Sequence, residues 1–139
     1  MKLVIKGKPV PLARPRLLTG HHSRVYDPQA TIKQDGIQQL RLQNKNKDPI
    51  NEPILLDVSY FMPIPNSLSK KKKEEFLGQK HSIRPDLSNL VKMTEDLIVD
   101  ANIITDDARI TTITAVKVYS DNPRTELSIT KESYENSKP

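Results

Sequence analysis

Residues 54–62, which read ILLDVSYFM, constrain the fold more than any other segment of the sequence. Side chains of a β-strand alternate between its two faces, so Leu56, Val58 and Tyr60 share one face while Leu55 lies on the other. The segment is rich in the aliphatic, aromatic and β-branched residues that strands prefer. The pattern predicts a strand, and therefore a sheet to which this strand belongs.

Four other segments favour extended structure. They are residues 2–10, residues 13–27 with a loop around Gly20, residues 108–120 and residues 125–131. Together with the helices described next, they predict the order β, β, α, β, a helical insertion, α, β, β. That order is typical of an α/β fold: a single domain over residues 1–139, with a mixed β-sheet, helices packed on it and a frayed tail from about residue 132.

Two helices are predicted in the first part of the chain. Asp27, which a proline follows, is expected to be the N-cap of a helix over residues 29–44. Ser67 or Ser69 is expected to cap a short helix that carries four consecutive lysines, and Gly78 is expected to end it. Such a lysine run is either a solvated face or a set of phosphate contacts, and the pattern favours neither.

The third predicted helix spans residues 87–102. Its apolar side chains recur at helical spacing and are expected to face the core: Leu90, Met93, Leu97 and Ala101, with Val91 and Ile98 beside them. Asn89, Lys92 and Asp96 are three and four residues apart, so they are expected to line the opposite face. Asp86, just before the helix, is one candidate for its N-cap.

Charge is segregated along the chain. The net charge is +5, yet residues 85–107 hold six acidic side chains and one basic side chain. Residues 1–26 hold six basic and no acidic side chains, and residues 66–84 hold six basic and two acidic ones. A basic surface attracts polyanions, whereas clustered carboxylates repel them unless a cation lies between. The pattern predicts nucleic acid on a basic rim with a divalent metal at an acidic centre; the alternative is uncorrelated surface charge.

Five side chains of the acidic segment have the chemistry of a phosphodiesterase site: Asp86, Lys92, Asp96, Asp106 and Asp107. Mg²⁺ binds a few carboxylate oxygens together with waters and phosphate oxygens, and it activates water for attack on phosphorus. A nearby lysine can neutralise charge on the phosphate. Each residue also has a structural alternative, since Asp86 can be a helix cap, Lys92 and Asp96 an ordinary i,i+4 pair, and Asp106 with Asp107 a turn.

The same stretch, RPDLSNLVKMTEDLI followed by DANIITDDARI, resembles the signature of the RusA family of Holliday-junction resolvases. The family pattern reads Asp-x-Asp-Asn-Leu-x-Lys, then an Asp in the same helix, then Asp-Asp-x-x-Ile/Val. The positions that match, in order, are Asp86, Asn89, Leu90, Lys92, Asp96, Asp106, Asp107 and Ile110. The N-terminal stretch PVPLARPR is also similar to an element seen in many members of that family.

The resemblance implies a homodimeric, Mg²⁺-dependent endonuclease that cuts four-way DNA junctions symmetrically in recombination and repair. Enzymes of this family are common in phages and prophages. By matching positions, the resemblance implies the following roles: metal ligands Asp86, Asp106 and Asp107, with Asp86 and Asp107 catalytic; a catalytic lysine, Lys92, near the scissile phosphate; and supporting residues Ser88, Asn89 and Asp96.

One position departs from the family pattern, because Ser88 stands where the second acid of Asp-x-Asp is expected. A hydroxyl is a poorer Mg²⁺ ligand than a carboxylate and brings no charge; Ser88 can also cap the helix. Either Asp106, Asp96 or a water fills the vacancy, or metal affinity is reduced, or the protein no longer cuts. The alternatives to an active nuclease are a junction-binding protein that has lost catalysis and a non-catalytic phage accessory protein.

The remaining features concern DNA contacts and location. Basic side chains expected to contact phosphates without reading sequence are Arg14, Arg16, Lys70, Lys71, Lys72, Lys73 and Arg84.

The chain has no cysteine, which excludes disulfides and Cys-ligated metal centres. Its N-terminus has no apolar segment long enough for a signal peptide or a membrane helix, so a cytoplasmic location is expected.

Overall fold

The computed structural model describes residues 1–13, 16–18 and 24–132, with side chains for 1–13 and 27–132. The strands are β1 (Lys2–Lys6), β2 (Arg16–Leu18), β3 (Arg24–Tyr26), β4 (Ile54–Pro63), β5 (Ile110–Ser120) and β6 (Arg124–Lys131). The helices are α1 (Ala30–Gln43), α2 (Lys70–Phe76) and α3 (Leu87–Asp100), and a single 3₁₀ turn spans Asp107–Arg109. The predicted tail beyond residue 132 lies outside the described residues.

Four strands form a mixed sheet in the order β1-β6-β4-β5, which confirms the predicted α/β fold. β4 lies inside the sheet, antiparallel to β6 and parallel to β5, so Leu56 pairs with Ile129 on one side and Ile113 on the other. β2 and β3 form a separate antiparallel pair where one extended stretch with a loop is predicted. Parallel strands need a crossover connection, and residues 64–109, which contain α2 and α3, supply it between β4 and β5.

The core lies between one face of the sheet and the helices α1 and α3. Every second residue of β4 is buried, including Leu56, Val58 and Tyr60, as the alternation predicts. The two helices contribute their apolar stripes: Ile37 and Leu40 from α1, and Leu90, Met93, Leu97 and Ile98 from α3. Burial of each such side chain stabilises the fold by about 1.5–3 kcal/mol. Asp57, on the other face of β4, is exposed.

Two contacts hold α3 in the core. Tyr60 on β4 lies 2.7 Å from the Thr94 hydroxyl, which donates its own hydrogen to the Leu90 carbonyl at 3.2 Å, so the tyrosine is the donor. Burial raises the pKa of Tyr60 and keeps the phenol protonated. Gly36 on α1 faces Leu97, and a Cβ atom on that glycine would lie 3.1 Å from Leu97 Cδ1. The glycine therefore permits the close approach of the two helices.

The N-cap of α1 is Gln29 and not Asp27, so the predicted cap is wrong. The Asp27 carboxylate is engaged otherwise. One oxygen accepts a hydrogen bond from the Gln29 backbone N–H at 2.9 Å, and the other accepts one from Lys33 Nζ at 2.9 Å. The Lys33 contact and then the Gln29 N–H lower the pKa of Asp27. Asp27 therefore forms a turn before the helix, which begins at Ala30.

The other two helices follow the predicted boundaries closely. Ser69 is the N-cap of α2, and its hydroxyl accepts a hydrogen bond from the Lys72 N–H at 3.3 Å. Gly78 follows the helix with a φ of +78°, a conformation that favours glycine. The third helix begins at Leu87 as predicted and ends at Asp100, two residues short of the predicted end. Within the described part of the chain, no helix is long and apolar enough to cross a membrane.

The outer edge of β1 is covered by glutamine side chains of α1. Gln43 accepts a hydrogen bond from the Val4 N–H at 2.8 Å and donates one to the Val4 carbonyl at 2.6 Å. Gln39 accepts one from the Lys6 N–H at 2.8 Å. These two amides occupy the backbone groups that a neighbouring strand would otherwise use, which protects the edge from pairing with another chain.

The outer edge of β5 is covered only near its end. There the Tyr119 N–H donates to the Gln79 carbonyl at 2.9 Å, and the His81 N–H donates to the Lys117 carbonyl at 3.0 Å. No described residue pairs with the outer edge of residues 110–116. That stretch reads ITTITAV, so it is uncharged and rich in β-branched residues. It is an open edge suited to pairing with another strand.

His81 makes the stability of the fold depend on pH. Its side chain is buried against Tyr119, with the ring centroids 4.8 Å apart, and burial together with the Lys117 charge lowers its pKa below 6.5. The unfolded chain therefore binds a proton on His81 at a higher pH than the folded protein does. The stability that neutral His81 provides is complete above pH 6.5 and declines as the pH falls below that value.

We expect the Tm of the wild-type protein to fall more between pH 7.5 and 5.5 than the Tm of His81→Phe, which cannot titrate. Circular dichroism melts at the two pH values measure the difference. His21 and His22 are present in both proteins, so their contribution cancels. Equal losses in the two proteins would contradict the prediction.

Candidate active site

Asp86 occupies the N-cap position of α3 without capping the helix. Its backbone carbonyl accepts hydrogen bonds from the N–H groups of Asn89 and Leu90, at 3.1 and 3.3 Å, but its carboxylate makes no capping hydrogen bond. Ser88, the other predicted cap, lies inside the first turn and is exposed. The N-cap position predicted for Asp86 is therefore confirmed, although its side chain makes no capping bond. The cap predicted at Ser88 is wrong, and the exposed Asp86 carboxylate is open to a ligand.

Asp86 lies in a cleft of about 490 Å³ between the N-terminal segment and the start of α3. Residues 8–12 form one wall, and Arg84, Pro85, Asp86 and Asn89 form the other. The Leu12 N–H donates to the Asn89 carbonyl at 3.0 Å, which ties the walls together. Lys8 and Arg84 are exposed. A phosphate backbone that enters the cleft would therefore meet two cations beside one carboxylate.

Gln29 fixes the N-terminal wall of this cleft. Its buried side chain accepts a hydrogen bond from the Ala13 N–H at 2.8 Å and donates one to the Pro11 carbonyl at 2.7 Å. Arg14, which follows, lies outside the described residues, and Arg16 is placed in β2 without a described side chain. Their phosphate contacts stay predictions.

Asp106 and Asp107 come together at the 3₁₀ turn that begins β5. Asp106 is the N-cap of the turn, and its carboxylate accepts a hydrogen bond from the Ala108 N–H at 3.2 Å. A hydrogen bond from the Asp107 carboxyl, followed by that of Ala108, lowers the pKa of Asp106. The same contact and the negative charge of Asp106 raise the pKa of Asp107. The two carboxyl groups therefore resist being ionised at the same time. A bound cation would remove this electrostatic penalty.

Glu95 is an acid of this group that the motif does not include. Its side chain is half-buried, and burial, followed by the charges of Asp107 and Asp96, raises its pKa, while Lys92 opposes the shift. A helical projection of the sequence could have found it. Glu95 lies three residues after Lys92 and seven after Ser88, so the three share one side of α3.

The predicted ligands fall into two groups. Ten residue steps separate Asp86 from Asp96, which is about 15 Å along the helix axis. Asp107 is an electrostatic neighbour of Asp96, at the far end of that span. In the part of the chain that the structure describes, no three His or acidic side chains are arranged to hold a metal ion. An ion shared between Asp86 and the Asp106–Asp107 pair stays a prediction.

Lys92 projects from α3 between these two groups of acids. It is exposed, and no ion pair joins it to Asp96 among the described side chains. The alternative interpretation of the two residues as an ordinary i,i+4 pair is therefore wrong. Asn89, one turn earlier, contributes its carbonyl to the bond with Leu12 and supports the cleft.

The lysine run lies on the exposed helix α2 and comprises Lys70, Lys71, Lys72 and Lys73. Lys72 forms an exposed ion pair with Glu75 at 3.7 Å, which contributes little to stability. Lys70 and Lys73 line a cleft of about 480 Å³ together with Asn66 and Ser120. The run is thus a solvated face with cations along a groove, and its contact with phosphates stays a prediction.

Comparison with known proteins identifies the family. The sequence profile described as Endodeoxyribonuclease RusA matches residues 6–130. The chain belongs to the RusA family of endodeoxyribonucleases. The matched range includes the Asp86 cleft, all of α3 and the Asp106–Asp107 pair. The resemblance predicted from the motif is therefore confirmed, and it extends over nearly the whole chain.

Two relatives illustrate the range of this RusA family. The chain is 28% identical over 135 residues to the Uncharacterized protein YqaN of Bacillus subtilis (strain 168), covering 93% of this chain and 94% of the relative. It is 34% identical over 92 residues to the Crossover junction endodeoxyribonuclease rusA of Lactococcus phage r1t, covering 65% of each chain.

The raised pKa of Glu95 predicts a stabilising substitution. Because the folded pKa lies above the unfolded value, the ionised form disfavours folding, and this destabilisation appears as the pH rises through the folded pKa. We expect Glu95→Gln to raise the Tm at pH 7.5 and to lose most of this effect at pH 4. Thermal melts at both values test it, with the exposed Glu52→Gln as the control that should not raise the Tm. A lowered Tm at pH 7.5 would contradict the prediction.

Proposed function

We propose that this RusA-family member is a Mg²⁺-dependent endonuclease that resolves Holliday junctions by paired phosphodiester hydrolysis, in the cytoplasm, during DNA recombination and repair. The observation that carries the proposal is the match to the RusA family over residues 6–130, a range that includes the Asp106–Asp107 pair, whose carboxyl groups perturb each other's pKa at the start of β5. Clustered acids with perturbed pKa values are typical of functional sites. The phage relative, named a crossover junction endodeoxyribonuclease, supports the choice of substrate.

The side chains present fit Mg²⁺, which uses one or two carboxylates together with waters and substrate phosphates. Asp106 and Asp107 supply two carboxylates, and Asp96 adds negative charge beside Asp107. Asp86 remains a proposed ligand because its carboxylate is not used to cap α3. Bound Mg²⁺ would supply Lewis acidity at the phosphate and lower the pKa of a bound water.

The basic residues of the proposal would hold the DNA. Lys92 is exposed between the two groups of acids, where its ammonium would neutralise charge on the scissile phosphate. Lys8 and Arg84 flank Asp86 and would bind the strand that enters its cleft. The lysines of α2 would add contacts along a second groove. Contacts of this kind position DNA without reading its sequence. They therefore suit an enzyme that selects DNA by its branched shape.

A second candidate function is junction binding without cleavage. Ser88 brings no charge to a position where the family pattern has an acid, and no three acids of the described residues are arranged to hold a metal ion. This candidate predicts a junction affinity that is independent of Mg²⁺ and an absence of nicks. A non-catalytic accessory role predicts instead no preference for a four-way junction over a duplex.

Cleavage of a labelled four-way junction, beside a matched duplex and with either Mg²⁺ or EDTA, tests the proposal. We expect paired nicks in the junction with Mg²⁺ and none with EDTA. Asp107→Asn should lower the cleavage rate by more than about 100-fold, because even outer-shell partners of a metal contribute about 10–100-fold. Its junction affinity in EDTA should change little, since the substitution removes no cation.

Asp57→Asn is the matched control, because Asp57 is exposed on the opposite face of β4 and the substitution changes the charge equally. It should cut as the wild type does. Normal cutting by Asp107→Asn would contradict the site assignment. Junction binding without nicks in the wild-type protein would establish the second candidate function instead.

We further propose that the protein acts as a homodimer through the open edge of β5, residues 110–116. Paired cuts in a two-fold junction call for a two-fold enzyme. Backbone groups of Lys117 and Tyr119 point to the outer edge, so those of Ile113 and Ala115 do too, because strand residues alternate. Antiparallel self-pairing centred on Ile113 would place this uncharged stretch against itself, which avoids opposed like charges.

Ile113→Lys tests the homodimer, because self-pairing would bring two ammonium groups face to face. Light scattering after size exclusion should give a dimer mass for the wild type and a monomer mass for this variant. Leu42→Lys is the control: both residues are exposed apolar side chains, and Leu42 lies on α1 away from β5. A dimer that survives Ile113→Lys would refute this interface, and a wild-type monomer would refute the homodimer.

A further inference from the structure

Lys117 reaches from β5 to the chain segment that leads into α3. Its Nζ donates hydrogen bonds to the carbonyl of Ile83, at 2.5 Å, and to the carbonyl of Pro85. Pro85 is the residue immediately before Asp86. An ammonium on a strand of the sheet thus holds the carbonyl that adjoins a proposed metal ligand.

Backbone hydrogen bonds join the segment that leads into α3 to the end of β5 only as far as His81. Three hydrogen bonds pair it with the end of β5: Gly78 N–H to Tyr119 carbonyl at 3.0 Å, Tyr119 N–H to Gln79 carbonyl at 2.9 Å, and His81 N–H to Lys117 carbonyl at 3.0 Å. Within the described structure, residues 82–85 are held by hydrogen bonds from Lys117 Nζ alone. Side chains of Ser82, Ile83 and Arg84 are exposed, so packing holds them weakly.

The Asp86 carboxylate makes no capping bond that would fix it. Its position therefore follows from the direction in which the chain enters α3. Lys117 also anchors the carbonyls on either side of Arg84, a residue whose side chain is exposed at the same cleft. One side chain thus holds the backbone that immediately precedes Asp86.

We propose that Lys117 is a positioning residue for the Asp86 side of the active site. This inference rests on the proposed function. The ammonium is not a phosphate contact, because it is directed at two carbonyl oxygens and the residue is half-buried. A lysine suits the task, since its three N–H donors can serve two acceptors at once.

Lys117→Met tests the proposal, because methionine keeps an unbranched stem and removes every donor. We expect the Mg²⁺ concentration for half-maximal junction cleavage to rise about tenfold, the scale on which residues that orient metal ligands act. Junction Kd in EDTA should stay within about twofold of wild type, because Lys117 touches no DNA in the proposal. Lys117→Arg, which keeps the charge and donors, should recover much of the lost Mg²⁺ affinity.

Lys131→Met is the matched control, because it removes an exposed lysine at the end of β6, where the partner is Glu52. It should leave the Mg²⁺ requirement unchanged. An unchanged requirement in Lys117→Met would overturn the proposal. A loss of junction affinity in EDTA without a change in the Mg²⁺ requirement would overturn it too, because Lys117 would then be a DNA contact.

Hydrogen exchange separates this proposal from the proposed function. In Lys117→Met, amides of residues 82–90 should exchange faster, while those of β4 and β6 keep wild-type rates and show that the variant is folded. Unchanged exchange at residues 82–90 would overturn the positioning role whether or not the protein cuts DNA. If the wild type cuts no junction, the proposed function fails, and faster exchange would still support Lys117 as the anchor of Asp86.

Discussion

The structure depends on the packing of α3 against the buried face of β4. Leu90 and Leu97 bury the apolar stripe of the helix, and Tyr60 donates a hydrogen bond to Thr94 within that contact. A buried hydrogen bond between a strand and a helix fixes the rotation of the helix as well as its distance, because an unpaired hydroxyl in the core is costly. The polar face of α3, which carries Lys92, is thereby turned away from the sheet.

The parallel pairing of β4 with β5 then brings the second group of acids to that helix. Parallel neighbours require a long crossover, and here the crossover contains α3 itself. Ile110 pairs with Ile54 at the start of both strands, so the turn before Ile110 is placed beside the C-terminal half of α3. Asp107 consequently lies near Asp96. The fold, and not the local sequence, creates the acidic cluster.

The elements are predictable from local periodicity, whereas what the sequence pattern misses depends on side-chain contacts, most of them between residues far apart in the chain. The alternation of β4 and the helical stripe of α3 each lie within one segment, so the sequence alone shows which residues are buried. The cap of α1 was mispredicted because Asp27 is engaged by Lys33. Lys117 carries no motif, and only the meeting of β5 with the segment before Asp86 gives it a partner. Burial, followed by the charge of Asp107 from another element, raises the pKa of Glu95.

The Asp106–Asp107 pair has a structural role in a turn and is also the proposed metal site. A turn accounts for Asp106, whose carboxylate accepts the Ala108 N–H and whose pKa is lowered, so its surroundings favour its ionised form. The surroundings of Asp107 have the opposite effect, because Asp106 and Asp96 raise its pKa. The turn therefore gives the Asp106 carboxylate a hydrogen-bond donor but leaves Asp107 with a negative charge that its neighbours disfavour. A cation shared by the pair would reverse the sign of that interaction, which is the physical reason for proposing these two carboxylates as metal ligands.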